Sequence, residues 1–310
     1  VHLKHQALKV IIRSVLLEGQ LEKGNLSIQD IVNKFKNRVF IFFDTETTGM
    51  SSKNPYSLIT EIGAIAIDTN TGKELGRYSM KSKLTQTVED RRKKEREEIA
   101  AGTRKAGPGP DMPIDDILKM TAYEEGEVPF EEERKVLAGF SEFVSQYQSQ
   151  NPIMVAHNAR FDMRHINDAL KLRHKMPFLP KYNVLDTKVL VEKYLQSLLV
   201  GLENLRGTDP EVERLFKELR STGRFTSRLG PLGTAFEVET KHWHSAIADT
   251  LQLSGILAKI LDFFERRGDE PYNIGRDIRS GLAKRLPTGE IEYKKTRQKK
   301  GAVKPPVNQP

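Results

Sequence analysis

The stretch RVFIFFDTETTG, residues 38–49, constrains the fold more than any other. VFIFF is a continuous apolar, β-favouring run, which predicts a strand buried on both faces. It runs directly into Asp44 and Glu46. Residues i and i+2 of a strand project the same way, so the two carboxylates leave the strand end together. An unpaired carboxylate away from water is costly. Either this strand end lies open to solvent or a cation sits between the two acids.

The next segments extend the pattern. LITEIGAIAID (58–68) reads as a second strand, TNTG (69–72) as a turn, and KELGRYSMKS (73–82) as a third strand. Residues 38–82 are thus expected to form an antiparallel meander. All ten residues of EDRRKKEREE (89–98) are charged, five of each sign, which predicts a solvated helix with i,i+4 pairs. GTRKAGPGPDMP follows as a loop, so 83–116 reads as a mobile excursion from the core. Further on, 130–148, 159–173, 187–199, 210–220 and 249–267 read as helices, and 152–158 and 182–186 as strands. The expected fold class is α/β, with a mixed five-stranded sheet flanked by helices.

Two short helices, 6–18 and 27–36, predict a helical N-terminal extension over 1–37. The first is basic and amphipathic, but Glu18 and Glu22 argue against a targeting peptide and favour a surface helix. The chain opens on Val1 and not Met, which leaves the true N-terminus open. A core domain is expected over 38–267, and a basic, flexible tail over 268–310, where Gly, Pro and Lys dominate.

The net charge is +8, and it is concentrated at the ends. Residues 1–38 hold seven Lys/Arg against three Asp/Glu, and residues 293–310 hold six Lys/Arg and no acid. Basic ends fit a polyanion such as nucleic acid, and equally fit solubilising tails. There is no cysteine, which excludes disulfides, thiolate zinc sites and thiol catalysis and fits an intracellular, cytoplasmic setting. No apolar run reaches eighteen residues, so no membrane span is expected.

Two more acidic positions share the logic of Asp44 and Glu46. VAHNARFD places Asp162 at the start of a helix just after a buried strand, and HWHSAIAD places His244 five residues before Asp249, which opens the last helix. Each lies where backbone can gather it at one sheet edge. Taken singly, Asp162 and Asp249 could simply answer a helix dipole. Asp186, in VLDT, could compete as a ligand, but a capping role is preferred because a helix begins at Thr187.

Together, FDTETTG followed by EIGAIAI, HNARFD, and the H-x-A-x-x-D set of His244, Ala246 and Asp249 resemble the histidine-bearing (DEDDh, DnaQ-like) branch of the DEDD 3′-to-5′ exonucleases. That branch includes the proofreading subunit of bacterial replicases, ribonuclease T and oligoribonuclease. The resemblance spans about 38–265 in the family's order and implies a ribonuclease-H-like fold. It implies that Asp44, Glu46, Asp162 and Asp249 hold two Mg²⁺ or Mn²⁺ ions and that His244 is the general base. Thr47, Thr48, His157, Asn158 and Phe161 would contact the terminal nucleotide.

The implied reaction releases nucleoside 5′-monophosphates from single-stranded DNA 3′ ends, with proofreading as one setting. RNA ends are the alternative substrate, and a non-catalytic binding or scaffold role is a further one. A polymerase or another replication protein is the candidate protein partner. The chain departs from the family at Ser245, where Arg or Asn is frequent, at Thr250, where Ala is frequent, and in the long segments 83–116 and 200–226.

Overall fold

A computed structural model describes residues 26–294, except 53, 55, 106, 108–111, 125–127, 178, 180–181, 222 and 239–244. Its centre is a six-stranded mixed sheet in the order β4-β3-β2-β1-β5-β6. The strands are β1 (Val39–Thr47), β2 (Ile59–Asp68), β3 (Glu74–Ser82), β4 (Phe130–Glu131), β5 (Ile153–Ala156) and β6 (Asn183–Asp186). The first three form the expected antiparallel meander, and β5 and β6 join β1 in parallel. This is the expected mixed sheet flanked by helices, with one strand more than the five predicted. The addition is the two-residue β4, which pairs in parallel with Lys81 and Ser82.

Alternation along β1 assigns its two faces. Phe40 and Phe42 enter one core with helices α1 (Ile28–Phe35), α6 (187–201), α7 (Pro210–Leu219), α8 (Leu229–Ala235) and α9 (Ala246–Arg267). Helix α6 runs through Thr187–Leu190, a π-helical stretch Val191–Leu195 and Gln196–Gly201. Val39, Ile41 and Phe43 enter the other core with α4 (Glu133–Ser145) and α5 (Ala159–Asp168). Both faces of β1 are therefore dry, as its unbroken apolar run requires.

Two sequence expectations change. The excursion carries the expected charged helix, with i,i+4 pairs such as Arg91–Glu95, but it is anchored to the core. It forms α2 (Gln86–Ala100) and α3 (Ile114–Met120), and Val88, Ile114, Leu118 and Tyr123 pack with Leu58 in a small third core. The supposed tail is folded over 269–293, as helix α10 (Asp269–Arg279) and a hairpin of Ala283–Arg285 with Ile291–Tyr293. Its anchor is a backbone-to-backbone crossing of α10 on α6. A Cβ on Gly275 would lie 1.7 Å from Ser197 O, and one on Gly201 would lie 1.7 Å from Pro271 O. Composition could not reveal this, because the contact is made by glycines and consumes little apolar sequence. The ring of Tyr272 stacks on Tyr194 at 5.5 Å. The predicted helix 6–18 and the tail beyond 294 lie outside the described residues.

Candidate active site

The acids meet at the C-terminal end of β1. In the β1–β2 ladder Asp44 lies opposite Gly63, and Glu46 lies opposite Glu61. Asp44 and Glu46 continue the parity of Phe40 and Phe42, so they emerge on the α9 face of the sheet. On that face Gly63 offers no side chain. A Cβ there would lie 2.3 Å from Ile247 N and 2.4 Å from Ala246 C, so only glycine lets the first turn of α9 rest on the sheet. Thr250 reinforces the contact, its hydroxyl 3.3 Å from Gly63 O.

Asp249, in that first turn, is thereby carried to β1. Carboxylate oxygens of Asp44, Glu46 and Asp249 lie within 4.8 Å of one another. Asp162 arrives from the opposite face on α5 and is 2 % exposed. Thr45, whose side chain shares that face, donates to Asp162 Oδ1 from its backbone N–H at 3.1 Å and its hydroxyl at 2.7 Å. β1 thus presents two acids on one side and holds a third from the other.

The electrostatics are those of crowded acids. Burial, then the neighbouring charges of Asp162, Glu46 and Asp249, hold the Asp44 carboxyl well above its usual range. Burial, then Asp249 and Glu61, do the same for Glu46. Burial pushes Asp162 up to about 7 against the two bonds from Thr45. Among the described residues neither Asp44 nor Glu46 makes an ion pair. An oxygen-only donor set that is partly buried and mutually repelling fits a hard divalent cation.

Glu61 is an acid that the sequence reading did not single out. It is 1 % exposed and lies between Glu46 on β1 and Lys81 on β3. Its carboxylate accepts from Ser245 Oγ at 3.3 Å and from the backbone N–H of Ile247. It therefore caps α9 from the neighbouring strand, the position where a negative charge answers unsatisfied amides and the helix dipole. Burial still raises its pKa, opposed first by Lys81. The only sequence signal was the acid in an otherwise apolar TEIGAIAI. Ser245 and Thr250, the two departures in the third motif, are both spent on seating α9.

The remaining expected residues divide. Thr47 and Thr48 border a cleft beside Glu46 that Phe161 also lines. Thr48 is buried, donates its hydroxyl to Tyr56 O and accepts from Leu58 N at 2.8 Å, so it closes the 49–57 loop. His157 and Asn158 face a different cavity, shared with Lys188 and Arg228. Burial lowers the His157 imidazole to about 4, and its Nδ1 lies 3.0 Å from Thr187 Oγ1. Asn158 takes the left-handed conformation at φ 72° just before α5, one that Asn tolerates. Asp186 caps α6, accepting from Lys188 N at 2.9 Å and Asn158 N at 3.1 Å. The expected base, His244, lies outside the described residues.

This chain resembles solved nucleases. Exonuclease I of E. coli, in complex with a dT13 oligonucleotide, is 18% identical with a TM-score of 0.41, over 74% of this chain and 42% of that one. Cell-death related nuclease 4 (CRN-4) is 14% identical with a TM-score of 0.39, over 73% of this chain and 64% of that one. The chain spans less than half the length of Exonuclease I. No family model and no curated protein matches it. The chemistry therefore rests on this chain's own residues. Among the described residues no helix is long and apolar enough to cross a membrane.

Proposed function

We propose that this chain is a metal-dependent 3′-to-5′ exonuclease acting on single-stranded DNA ends. The observation that carries the reading is the meeting of Asp44, Glu46 and Asp249 within 4.8 Å, brought together from one strand and one distant helix. A structural role does not call for such a cluster, because like charges in a partly dry site destabilise the fold. Asp44, Glu46 and Asp249 would hold Mg²⁺ or Mn²⁺ as two ions, with Asp162 completing the set. When bound, the ions supply the positive charge that lets an anionic phosphodiester accept a water nucleophile.

The chain's own groups do the rest. Thr45 holds Asp162 in one orientation, and Glu61 and Gly63 hold the α9 turn that bears Asp249. His244 accepts the proton of the attacking water, a role that imidazole side chains fill at neutral pH. The water oxygen bonds to phosphorus as the bond to the 3′-oxygen breaks, and that oxygen takes a proton from solvent. The products are a nucleoside 5′-monophosphate and a strand shortened by one residue with a free 3′-hydroxyl. A polymerase or other replication partner is part of the same proposal if the activity is proofreading.

The test uses labelled single-stranded DNA, duplex DNA with a mismatched end, and RNA, each with Mg²⁺ or Mn²⁺. Asp44→Ala and Asp162→Ala should remain folded and lose nearly all degradation. Cleavage at near wild-type rates by either rejects the assignment. His244→Ala should keep metal affinity and slow the chemical step ~10²–10⁴-fold. Loss of metal affinity instead would make His244 a ligand and not the base.

A further inference from the structure

Lys81 is the one basic side chain in a row of residues that crosses four strands. Glu46 on β1 pairs with Glu61 on β2, Glu61 with Lys81 on β3, and Lys81 with Phe130 on β4. Residues paired across strands project to the same face, about 5 Å apart. Lys81 is 2 % exposed and Glu61 1 %. A charge so far from water needs partners.

The Lys81 ammonium donates to the carbonyls of Ala122 and Tyr123, each at 3.0 Å, and lies 5.8 Å from the centre of the Phe130 ring. Those carbonyls follow α3. There Tyr123 N donates to Leu118 O at 2.9 Å and Ala122 N to Lys119 O at 3.2 Å, the paired bonds of a helix stop whose left-handed position usually holds glycine. Ala122 occupies it, at φ 47°. A left-handed alanine is strained, and two charge-assisted bonds from Lys81 hold the turn in that shape. The Tyr123 hydroxyl donates to Ser82 O at 2.6 Å, so the end of the excursion is fastened to the last two residues of β3.

The same lysine faces the seat of α9. Glu61, its cross-strand partner, accepts from Ser245 Oγ at 3.3 Å and from Ile247 N at the start of that helix. The Lys81 charge is the first influence to oppose the burial of Glu61. Without it a buried carboxylate would lie beside Glu46 with no cation in the row. The excursion also borders the acid cluster, with Arg91 and Glu95 lining the cleft beside Glu46.

We propose that Lys81 is a positioning residue of the acid centre, joining the docked excursion to Glu61 and, through Glu61, to the α9 turn that bears Asp249. Its effect on rate rests on the nuclease reading of the cluster, whereas its hold on α9 does not.

The test is amide hydrogen exchange in EDTA, read by mass spectrometry over 118–124 and 245–252, in full-length wild type, Lys81→Met, Glu61→Ala and the double variant. Lys81→Met should speed exchange in both segments, by ~2–30-fold in 245–252, the range that loss of a helix cap implies. Glu61→Ala should speed 245–252 and leave 118–124 as it is. Adding Lys81→Met to Glu61→Ala should speed 118–124 and give no further change in 245–252, because the link to α9 is already cut. Exchange that rises only in 118–124, or single effects that multiply in 245–252, overturns the proposal and leaves Lys81 as an anchor of α3 alone. Where Lys81→Met does not fold, Lys81→Gln, which keeps a donor without the charge, decides by the same two segments. On single-stranded DNA with Mg²⁺, Lys81→Met should lower kcat ~10–100-fold with KM nearly unchanged, since Lys81 is buried and acts on the acids' geometry. Full kcat in a variant whose 245–252 segment has loosened overturns the role in catalysis. A wild type that cleaves nothing rejects the nuclease reading, while the exchange data still decide the link from Lys81 to α9.

Discussion

Asp44 and Gly63 face each other across the β1–β2 ladder, and the missing side chain of the glycine admits the helix turn that carries Asp249 to the aspartate. The glycine is as much a part of the site as the acids. Gly63→Ala places a methyl group 2.3 Å from Ile247 N, where backbone and not a flexible side chain must move. The expected cost is ~1–3 kcal/mol of stability. Nuclease activity should fall more than tenfold in protein that is still folded by circular dichroism. Full activity in such protein would mean that α9 can be seated without this contact.

The acid cluster makes stability depend on pH in a set direction. Burial raises Asp162 to about 7 in the folded chain, against ~3.9 for an ordinary Asp. A raised folded pKa gives stability that is complete below about pH 4 and is lost as pH rises through about 7. His157, lowered to about 4, acts oppositely, losing stability as pH falls from ~6.5. The difference in Tm between wild type and Asp162→Asn in EDTA cancels the histidine. The variant should gain on the wild type as pH rises from 5 to 8, and Mg²⁺ or Mn²⁺ should raise the wild-type Tm more at pH 8 than at pH 5. A difference that stays flat with pH would show that Asp162 ionises freely.

Glu133 is a buried acid of the opposite kind. It accepts from Arg173 Nε at 3.0 Å and its terminal nitrogen at 2.6 Å, and from Ile59 N at 3.0 Å, with His174 Nε2 at 2.7 Å. These partners outweigh a burial penalty and leave its pKa lowered. Glu133→Ala strands Arg173 and should cost ~3–5 kcal/mol by urea denaturation. A change under 1 kcal/mol would show that the cluster adds little beyond its own desolvation.

Deleting 295–310 removes Lys295, Arg297, Lys299, Lys300 and Lys304 and no acid. Hydrolysis of a very short oligonucleotide should be nearly unchanged. Binding of long strands should weaken, and its salt dependence should flatten because fewer counterions are released. An unchanged salt slope, with loss of a co-purifying protein, would assign the Pro-rich end to a partner instead.

Local pattern alone determined the central strand, the meander that follows it and the helices whose apolar residues recur at helical spacing. It also placed Asp44, Glu46, Asp162 and Asp249 at element ends, because such signals reside within a few neighbouring residues. What required the folded chain was every relationship between distant residues. Asp162 reaches β1 from the face opposite Glu46, which follows from strand parity and the crossover of α5. Glu61 became a helix cap only once α9 lay on β2, nearly two hundred residues later in sequence. A run of ten charges became a cleft wall because Val88 and Ile114 found Leu58. The supposed tail folded because Gly275 meets Ser197, and Gly201 meets Pro271, at backbone distance. Such contacts are set by register and close approach, and a chain read one window at a time has neither.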